Sequence, residues 1–261
     1  MSTSAVTSPG RCLVTGAANG LGRDVTVALI ADGWYVDGLD IDAAGLASLA
    51  DELASDRLST HVVDVTDQAT VAATVAGLAT DPPLSALINN AGIISAGDAV
   101  DMTQHDWASV IDVNVSGAFY TAQVVARQLR DAGVPRGRIV NIGSITGKSP
   151  RWGRISYCVS KAAVEMLTRC LALELAGHGI TVNTVSPGST VGGVVQKNIE
   201  QGISSTQRLV HGELSTFRLG IPTGRMATSQ DVIPAIRYLL SPAADQVTGL
   251  ELRVDGGQGM F

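Results

Sequence analysis

A tyrosine and a lysine four residues apart, Tyr157 and Lys161, are the pair in this sequence best suited to proton transfer. They stand at the start of a helical pattern, so both side chains fall on one face of the helix. A free tyrosine has a pKa of about 10 and is a poor base at neutral pH, but a nearby ammonium lowers that pKa. The pair can therefore take the proton of an alcohol while a hydride leaves its carbon. By itself the spacing is a weak signal, because surface tyrosine–lysine pairs are common.

Two further side chains near this pair are suited to the same chemistry. Ser144 follows the fifth predicted strand, where its hydroxyl can hold a substrate oxygen near Tyr157. Lys161 can also donate a hydrogen bond to the ribose of a cofactor. We therefore expect Ser144, Tyr157 and Lys161 to form one catalytic group.

Three glycines follow the first predicted strand and indicate a phosphate-binding turn. Gly16 would allow a tight turn, Gly20 the close approach of a pyrophosphate, and Gly22 the packing of helix on strand. The N-terminal N–H groups of the following helix would then face the phosphates. A plain turn is the alternative for a glycine triplet, but a strand before it and a helix after it favour a dinucleotide site.

The end of the second predicted strand indicates which dinucleotide is bound. Asp40 stands there, and a carboxylate in that place accepts hydrogen bonds from a ribose 2′-hydroxyl and repels a 2′-phosphate. Asp42 adds negative charge nearby. No lysine or arginine stands at the neighbouring positions Ala17, Ala18 and Ile41. Arg23 is expected to be a solvated side chain at the start of the helix, so the sequence favours NAD over NADP.

The elements that must position these residues alternate along the chain. Predicted strands cover residues 11–15, 34–40, 84–89, 138–142, 180–186 and 251–254. Residues 61–64 are predicted to form the end of one more strand, the third along the chain. Predicted helices cover residues 20–32, 43–53, 68–79, 106–132, 157–176 and 229–240. This order predicts an α/β fold, a doubly wound parallel sheet of the Rossmann-like kind in three layers. Such sheets bind ligands at the carboxyl ends of their strands.

The domain organisation predicted from the sequence is simple. Residues 1–9 are expected to be a flexible tail, and residues 10–261 a single Rossmann-like domain without repeats. Residues 189–222 are polar, contain glycine and are long for a loop, with a predicted helix in the middle. A segment of this kind in a compact domain is often a lid over a substrate.

Composition excludes several classes of function. The 261 residues carry a net charge of −6, which argues against a nucleic-acid partner or an anionic membrane surface. No apolar stretch reaches the length of a membrane span, and the N-terminus does not read as a signal peptide, so we expect a cytoplasmic protein. The three cysteines, Cys12, Cys158 and Cys170, are not spaced as metal ligands. We expect them to be buried and expect no metal site.

Taken in order, short motifs make the chain resemble the classical short-chain dehydrogenases/reductases over about residues 10–257. The matching pieces are residues 15–22, 64–65, 89–92, Asn114, Ser144, residues 157–161, 187–188 and 254–257. Each piece is short, but the ordered set is highly specific.

The resemblance implies roles for the matching residues. The catalytic residues would be Asn114, Ser144, Tyr157 and Lys161, with Asn114 holding a water through which Lys161 reaches solvent. The cofactor-binding residues would be Gly16, Asn19, Gly20, Leu21, Gly22, Asp40, Ile41, Asp64, Val65, Asn90, Ala91, Gly92, Tyr157, Lys161, Pro187, Gly188 and Thr190. Asp64 and Val65 would flank the adenine, Asn90 would stabilise the centre of the sheet, and Pro187 and Gly188 would border the nicotinamide. The family often has a threonine where this chain has Gly192, so Thr190 is expected to supply that hydroxyl.

Within the family, the C-terminal half resembles the 2,3-dihydro-2,3-dihydroxybenzoate dehydrogenases of catechol siderophore pathways. Residues 149–151 and 217–225 carry most of this resemblance, because they bracket the substrate pocket. That subgroup oxidises a ring alcohol of a cyclohexadiene carboxylate with NAD. An acid substrate needs a cation, and Arg151 and Arg154 stand just before Tyr157. Our hypothesis is that Arg151 binds the substrate carboxylate bidentately, against the alternative of a solvated loop arginine. Ser144 and Tyr157 would bind the reacting alcohol.

Other functions are compatible with the same residues. A dihydro-hydroxyanthranilate would present the same carboxylate and ring alcohol. An NADPH-dependent ketoreductase of the 3-oxoacyl type is a further alternative, against which Asp40 argues. A non-catalytic dinucleotide-binding protein is the remote alternative, against which the presence of Tyr157 and Lys161 argues. The resemblance also implies a homotetramer built through the two long helices and the C-terminal strand.

Overall fold

The computed structural model describes residues 10–192 and 205–260. The strands are β1 (Arg11–Thr15), β2 (Tyr35–Asp40), β3 (Leu58–Val62), β4 (Leu84–Asn89), β5 (Gly137–Ile142), β6 (Ile180–Pro187), β7 (Gly212–Glu213), β8 (Arg218–Leu219) and β9 (Glu251–Val254). The helices are α1 (Gly20–Ala31), α2 (Ala43–Leu53), α3 (Gln68–Ala76), α4 (Gln104–Ile111), α5 (Ala118–Asp131), α6 (Ile155–Leu175), α7 (Thr206–His211) and α8 (Ser229–Leu240).

Seven of these strands form one parallel sheet in the order β3-β2-β1-β4-β5-β6-β9. The chain moves outward from β1 to β3 and then returns to β4 on the other side of β1. At such a reversal the connections leave the sheet in opposite directions and open a crevice at the carboxyl ends of the strands. The predicted doubly wound sheet is confirmed, and the crevice lies where β1 and β4 end.

Side-chain alternation along the strands gives the sheet two buried faces. Val14 packs in one apolar cluster with residues of α1, α2 and α8, whereas the adjacent Leu13 packs in another with residues of α3, α5 and α6. Because successive side chains of a strand point to opposite faces, one apolar strand supplies both cores. The three-layer, single-domain architecture is confirmed.

The long helix predicted over residues 106–132 is interrupted. Between α4 and α5 lies a π-helical turn, Asp112–Gly117, that widens the helix by one residue. Two close contacts explain the interruption. Asn114 is buried and bonded to Ile93, and a Cβ on Gly117 would lie 2.7 Å from Cγ2 of Val65. Repeating apolar residues predict a helix, but they do not reveal that two of its positions must meet neighbouring loops.

Other boundaries differ from the predicted ones by a few residues. The third strand ends at Val62 and α3 at Ala76, where Gly77 caps the helix. Cys12 is buried as expected, but Cys170 is exposed on the outer face of α6, so the expectation of burial is wrong there.

The predicted tail, residues 1–9, lies outside the described residues, as do residues 193–204 of the predicted lid. In the described remainder of that segment, α7 leads into an antiparallel hairpin of β7 and β8, which the sequence did not predict. Among the described residues, no helix is both long and apolar enough to cross a membrane. The same residues contain no cluster of side chains able to hold a metal ion.

Candidate active site

Three predicted catalytic side chains meet above the carboxyl end of β5. Tyr157 lies in the first turn of α6 and is hydrogen-bonded to Ser144, which follows β5. Lys161, one turn further along α6, is buried and places Nζ 5.6 Å from the centre of the Tyr157 ring. The same Nζ donates a 2.8 Å hydrogen bond to the carbonyl of Ile142. The structure therefore brings together the group that the sequence predicted.

The electrostatics of this pair differ from the prediction. Burial raises the pKa of Tyr157 above its usual value, although the hydrogen bond from Ser144 and the charge of Arg154 oppose that shift. Burial also lowers the pKa of Lys161 to about 8. The expectation of a lowered pKa for Tyr157 is wrong here, because desolvation of the phenolate outweighs the lowering effects of Ser144 and Arg154. Because Lys161 Nζ lies 5.6 Å from the ring centre, we expect the two groups to titrate as a pair.

Ser144 is held in a fixed position by the short turn that follows it. Its Oγ accepts hydrogen bonds from the backbone N–H of Thr146, at 3.2 Å, and from the Thr146 hydroxyl, at 3.0 Å. With those two acceptor positions occupied, the proton of Ser144 remains to be donated. Ser144 is thus arranged as a donor to Tyr157 or to a substrate oxygen beside it.

Asn114 connects the wall of the crevice to α6. Its Oδ1 accepts from the N–H of Ile93 at 2.8 Å, and its Nδ2 donates to the Ile93 carbonyl at 2.9 Å and to Ser160 Oγ at 3.0 Å. The Ser160 hydroxyl in turn donates to the carbonyl of Tyr157 at 2.8 Å. Asn114 therefore holds the helix turn that carries Tyr157. Ser160 was not singled out from the sequence, because a serine within a helix carries no distinctive signal.

The glycine turn after β1 has the shape that a pyrophosphate requires. Gly16 and Gly20 have positive φ angles of 69° and 54°, which favour glycine. A Cβ on Gly22 would lie 2.0 Å from the carbonyl oxygen of Gly16, so only glycine fits. Asn19 precedes α1 without capping it and donates instead to Asp42 at 2.9 Å. The first turn of α1, including Leu21, thus has no side-chain cap, which suits an anionic ligand.

The end of β4 is tied to this turn by two polar side chains. Asn90 Nδ2 donates to the carbonyls of Thr15, at 3.0 Å, and Gly16, at 3.2 Å. The hydroxyl of Thr15 accepts from the N–H groups of Asn90, at 2.9 Å, and Ala91, at 3.0 Å. Asn90 thus lies at the centre of the sheet, as expected. Thr15 was missed, although a hydroxyl residue at the last position of a buried strand is a usable signal.

Gly92 continues the same crevice wall toward the catalytic group. A Cβ built there would lie 3.2 Å from Asn114 Oδ1 and 3.7 Å from Lys161 Nζ. A larger residue would therefore crowd both side chains. Glycine at this position lets the wall pass close to Lys161.

The carboxylate at the end of β2 faces the glycine turn. Asp40 accepts hydrogen bonds from the N–H of Ala18 and the N–H of Asp42, each at 3.0 Å. The following Ile41 is 69% exposed and offers an apolar surface beside that carboxylate. Asp40 is thus oriented by the backbone, and the arrangement fits a ribose with a free 2′-hydroxyl.

Arg23 is held in place rather than solvated. Its guanidinium donates to the carbonyls of Ala18, at 3.3 Å, and Gly45, at 3.2 Å, and pairs with Glu52. The expectation of a free side chain is wrong, because α2 packs close enough to bring the Gly45 carbonyl and Glu52 to it. A guanidinium already paired in this way is poorly placed to neutralise a 2′-phosphate.

Beyond β3, Asp64 and Val65 are arranged differently from each other. Asp64 is exposed and accepts from the N–H of Thr66 at 2.8 Å, which forms a local turn. Val65 is buried against Gly117 of the π-helical turn. An adenine lying between Ile41 and this turn would meet the apolar side of the groove.

The loop after β6 closes the other side of the crevice. A Cβ on Gly188 would lie 2.8 Å from Cα of Asp255, so Pro187 and Gly188 run close along the segment after β9. The hydroxyl of Thr190 donates to the carbonyl of Gly188 at 3.2 Å. That Thr190 replaces the threonine expected at position 192 stays a prediction.

Three arginines lie together beside the catalytic group. Arg151 and Arg154 precede α6, and Arg218 comes from β8; both Arg151 and Arg154 act electrostatically on Arg218. Arg151 is half-buried, and its Nη1 reaches the carbonyls of Ser149 and Pro150 at 3.4 Å each. Arg218 was not singled out, because nothing in the sequence shows that the hairpin turns it toward Arg151.

Comparison with known proteins gives a consistent picture. The family model described as short chain dehydrogenase matches residues 11–202. A galactitol 2-dehydrogenase (L-tagatose-forming) of Cereibacter sphaeroides is 36% identical over 95% of this chain and 94% of its own. The 2,3-dihydro-2,3-dihydroxybenzoate dehydrogenase of Escherichia coli (strain K12) is 35% identical over 94% of each chain. Among solved structures, ElxO with NADP bound has a TM-score of 0.86 at 26% identity, covering 97% of this chain and 100% of its own.

Proposed function

The chain belongs to the short chain dehydrogenase family, and from that premise we propose that it oxidises a secondary ring alcohol of a carboxylated cyclohexadiene with NAD. The substrate would be of the 2,3-dihydro-2,3-dihydroxybenzoate type. The observation that carries the proposal is the half-buried Arg151, whose Nη2 has no partner among the described residues, beside Ser144, Tyr157 and Lys161. A carboxylate is a ligand that a buried guanidinium binds well.

The catalytic residues divide the chemistry of oxidation between them. Tyr157, coupled to Lys161, accepts the proton of the substrate hydroxyl, and Ser144 donates a hydrogen bond to the same oxygen. NAD, held at the glycine turn and along Pro187 and Gly188, would supply the acceptor for the hydride of the alcohol carbon. The ring ketone then shifts a proton from ring carbon to oxygen and becomes a catechol acid. Aromatisation makes the oxidation effectively one-way.

Asn114 serves this centre by position and, in our proposal, by proton transfer. Its amide fixes Ile93 and Ser160, and through Ser160 the turn that carries Tyr157. Lys161 would return its proton to solvent through a water held beside Asn114. The nearby Gly92 leaves the room for that path.

NAD is the cofactor we propose, on the support of two side chains. Asp40 presents a backbone-oriented carboxylate to the ribose, and Arg23 is engaged by Glu52 and two carbonyls. Pyrophosphate would lie on the uncapped start of α1, and the nicotinamide along Pro187 and Gly188. The described parts of residues 189–222 would close over the substrate as a lid.

A panel of substrates tests the reaction. The purified enzyme is incubated with NAD and one of four substrates: 2,3-dihydro-2,3-dihydroxybenzoate, the corresponding dihydro-hydroxyanthranilate, galactitol or a simple alcohol. The formation of NADH and the fluorescence of an aromatic product are recorded. We expect the acid dihydrodiol to give the highest kcat/KM and a fluorescent product. Preference for galactitol would replace the proposal with a neutral polyol, the second candidate suggested by the relative from Cereibacter sphaeroides. Reduction of a 3-oxoacyl ester with NADPH alone would also overturn it.

A homotetramer is the assembly we propose with this function. Met166 and Leu173 lie on α6 and are exposed by 54% and 84%, which leaves apolar surface on a helix expected to pack against a second subunit. Light scattering in solution should give a molecular mass that corresponds to four chains. A monomer at micromolar concentration would contradict it.

A further inference from the structure

The β7–β8 hairpin turns Arg218 back onto the floor of the crevice. Phe217 has a positive φ of 52° and is exposed by 83%, and the next side chain, Arg218, is directed inward. Its Nη2 donates to Ser189 Oγ at 2.8 Å. Ser189 in turn is held by the buried Gln258, whose Oε1 accepts from its N–H at 3.1 Å and from its hydroxyl at 2.9 Å. Arg218 is thus anchored directly after Pro187–Gly188.

This anchoring places a second cation near Arg151. Burial lowers the pKa of Arg218 to about 10, and the charges of Arg151 and Arg154 add to that effect, whereas Glu213 opposes it. Among residues 10–192 and 205–260, no carboxylate lies within 4.0 Å of any of the three guanidiniums. Partly buried like charges without a counter-ion are costly, so the site favours an anion.

Two donors in this cluster are unused. Arg151 Nη2 and Arg218 Nε are both buried and, within the described residues, have no hydrogen-bond partner. Buried polar atoms are paired in the great majority of cases, so unpaired ones call for an explanation. One carboxylate has two oxygens and can accept hydrogen bonds from two such donors at once.

We propose that Arg218 and Arg151 together bind the carboxylate of the substrate, Arg151 from the loop before α6 and Arg218 from the lid hairpin. The proposal rests on the proposed function in so far as the substrate is an acid, and it adds Arg218 as the residue that selects acids. Because Arg154 of the same cluster directly precedes α6 and acts electrostatically on Tyr157, a carboxylate held by this cluster would bring the ring alcohol toward the phenol. A neutral polyol carries no negative charge to pair with these two cations.

Binding measurements test this without depending on turnover. The dissociation constants of 2,3-dihydroxybenzoate and of catechol, its neutral counterpart, are measured by calorimetry on the intact enzyme with NADH present. We expect Arg218→Gln to raise the constant for 2,3-dihydroxybenzoate about 10- to 100-fold, as expected for a lost charged hydrogen bond. Catechol and NADH should bind as before. Arg208→Gln is the matched control, since Arg208 lies on α7 and its side chain is exposed by 59%.

Arg218→Lys keeps the charge and covers the case in which Arg218→Gln does not fold. Because lysine lacks the planar, two-pronged donor geometry, we expect a smaller but measurable loss of 2,3-dihydroxybenzoate binding. Equal affinity of the unaltered enzyme for catechol and 2,3-dihydroxybenzoate would overturn the proposal. A loss of affinity in Arg218→Gln that is confined to NADH would also overturn it. If the acid binds through Arg218 but only neutral alcohols are oxidised, the proposed function fails and the carboxylate site stands.

Discussion

The chemistry of the site depends on two groups that burial pushes toward their neutral forms. Burial raises the pKa of Tyr157 and lowers that of Lys161 to about 8. A base that holds its proton more tightly than usual cannot act alone at neutral pH. We expect the pair to lose its first proton near the Lys161 value, about 8, and to hold the remaining proton on one or the other of the two groups. The buried lysine thus lets the phenol work as a base at moderate pH.

Replacing Tyr157 with phenylalanine tests its role as base. The ring is retained and the proton acceptor is removed, so kcat should fall by about 10²- to 10⁴-fold. NAD binding, measured by fluorescence titration, should change little because the glycine turn and Asp40 are untouched. Unchanged turnover would instead support the non-catalytic alternative.

The pH profile tests the coupling of Lys161 to Tyr157. Since the active form of the pair has lost one proton, kcat/KM for oxidation should rise with pH and level off above about 8. In Lys161→Ala, Tyr157 must lose its own proton at a raised pKa, so the rise should move to higher pH. The same inflection in both proteins would show that another group controls the rate.

Asp40 is where cofactor choice can be altered. In Asp40→Asn the side chain keeps its size and loses its charge, which removes the repulsion of a 2′-phosphate. The ratio of kcat/KM for NADP to kcat/KM for NAD should rise about tenfold or more. A tenfold change corresponds to a free-energy difference of about 1.4 kcal/mol. Asp42→Asn serves as the control for a general loss of negative charge. Equal use of both cofactors by the unaltered enzyme would contradict the assignment.

At the scale of elements, the π-helical turn between α4 and α5 fits one helix to two neighbours. It presents Asn114 to Ile93 and Ser160 and lets Gly117 lie against Val65. An uninterrupted α-helix would rotate one of these positions away from its partner. The turn therefore links the part of the groove at Val65 to the side chains around Tyr157.

Two glycine replacements separate this contact from ordinary helix propensity. Gly117→Ala should destabilise the protein by about 1–3 kcal/mol, because its Cβ would lie 2.7 Å from Val65 Cγ2 and 3.3 Å from the Val65 carbonyl. Gly177→Ala meets no atom within 4 Å and should stabilise by about 0.4–1 kcal/mol. Denaturant unfolding measures both. A stabilising Gly117→Ala would show that the helix can shift at no cost.

At the scale of the molecule, the reversal of strand order between β1 and β4 brings distant segments to one crevice. The glycine turn, Asp40, Asn90, the catalytic group and the arginine cluster all lie at the carboxyl ends of strands. Ligands that bridge these segments should stabilise the whole fold, because they bind only the folded state.

Thermal unfolding with each cofactor tests this without a substrate. NAD at about 100 times its dissociation constant should stabilise by about 2.7 kcal/mol, which raises Tm by about 5–10 °C for a chain of this size. NADP at the same concentration should give a smaller shift, because Asp40 repels its phosphate. A larger shift with NADP would reverse the proposed cofactor preference.

Local patterns in the sequence determined the order of the seven strands of the parallel sheet, the glycine turn and the Tyr157–Lys161 spacing, because each depends on neighbours along the chain. Asp40 could be placed for the same reason, because it ends the next predicted strand after the glycine turn and its helix. Tertiary structure alone decided the pairing of Arg23, the π-helical turn, the meeting of Arg218 with Arg151 and the direction of the Tyr157 pKa. Those features arise from desolvation and contacts between segments far apart in sequence, which no local spacing encodes.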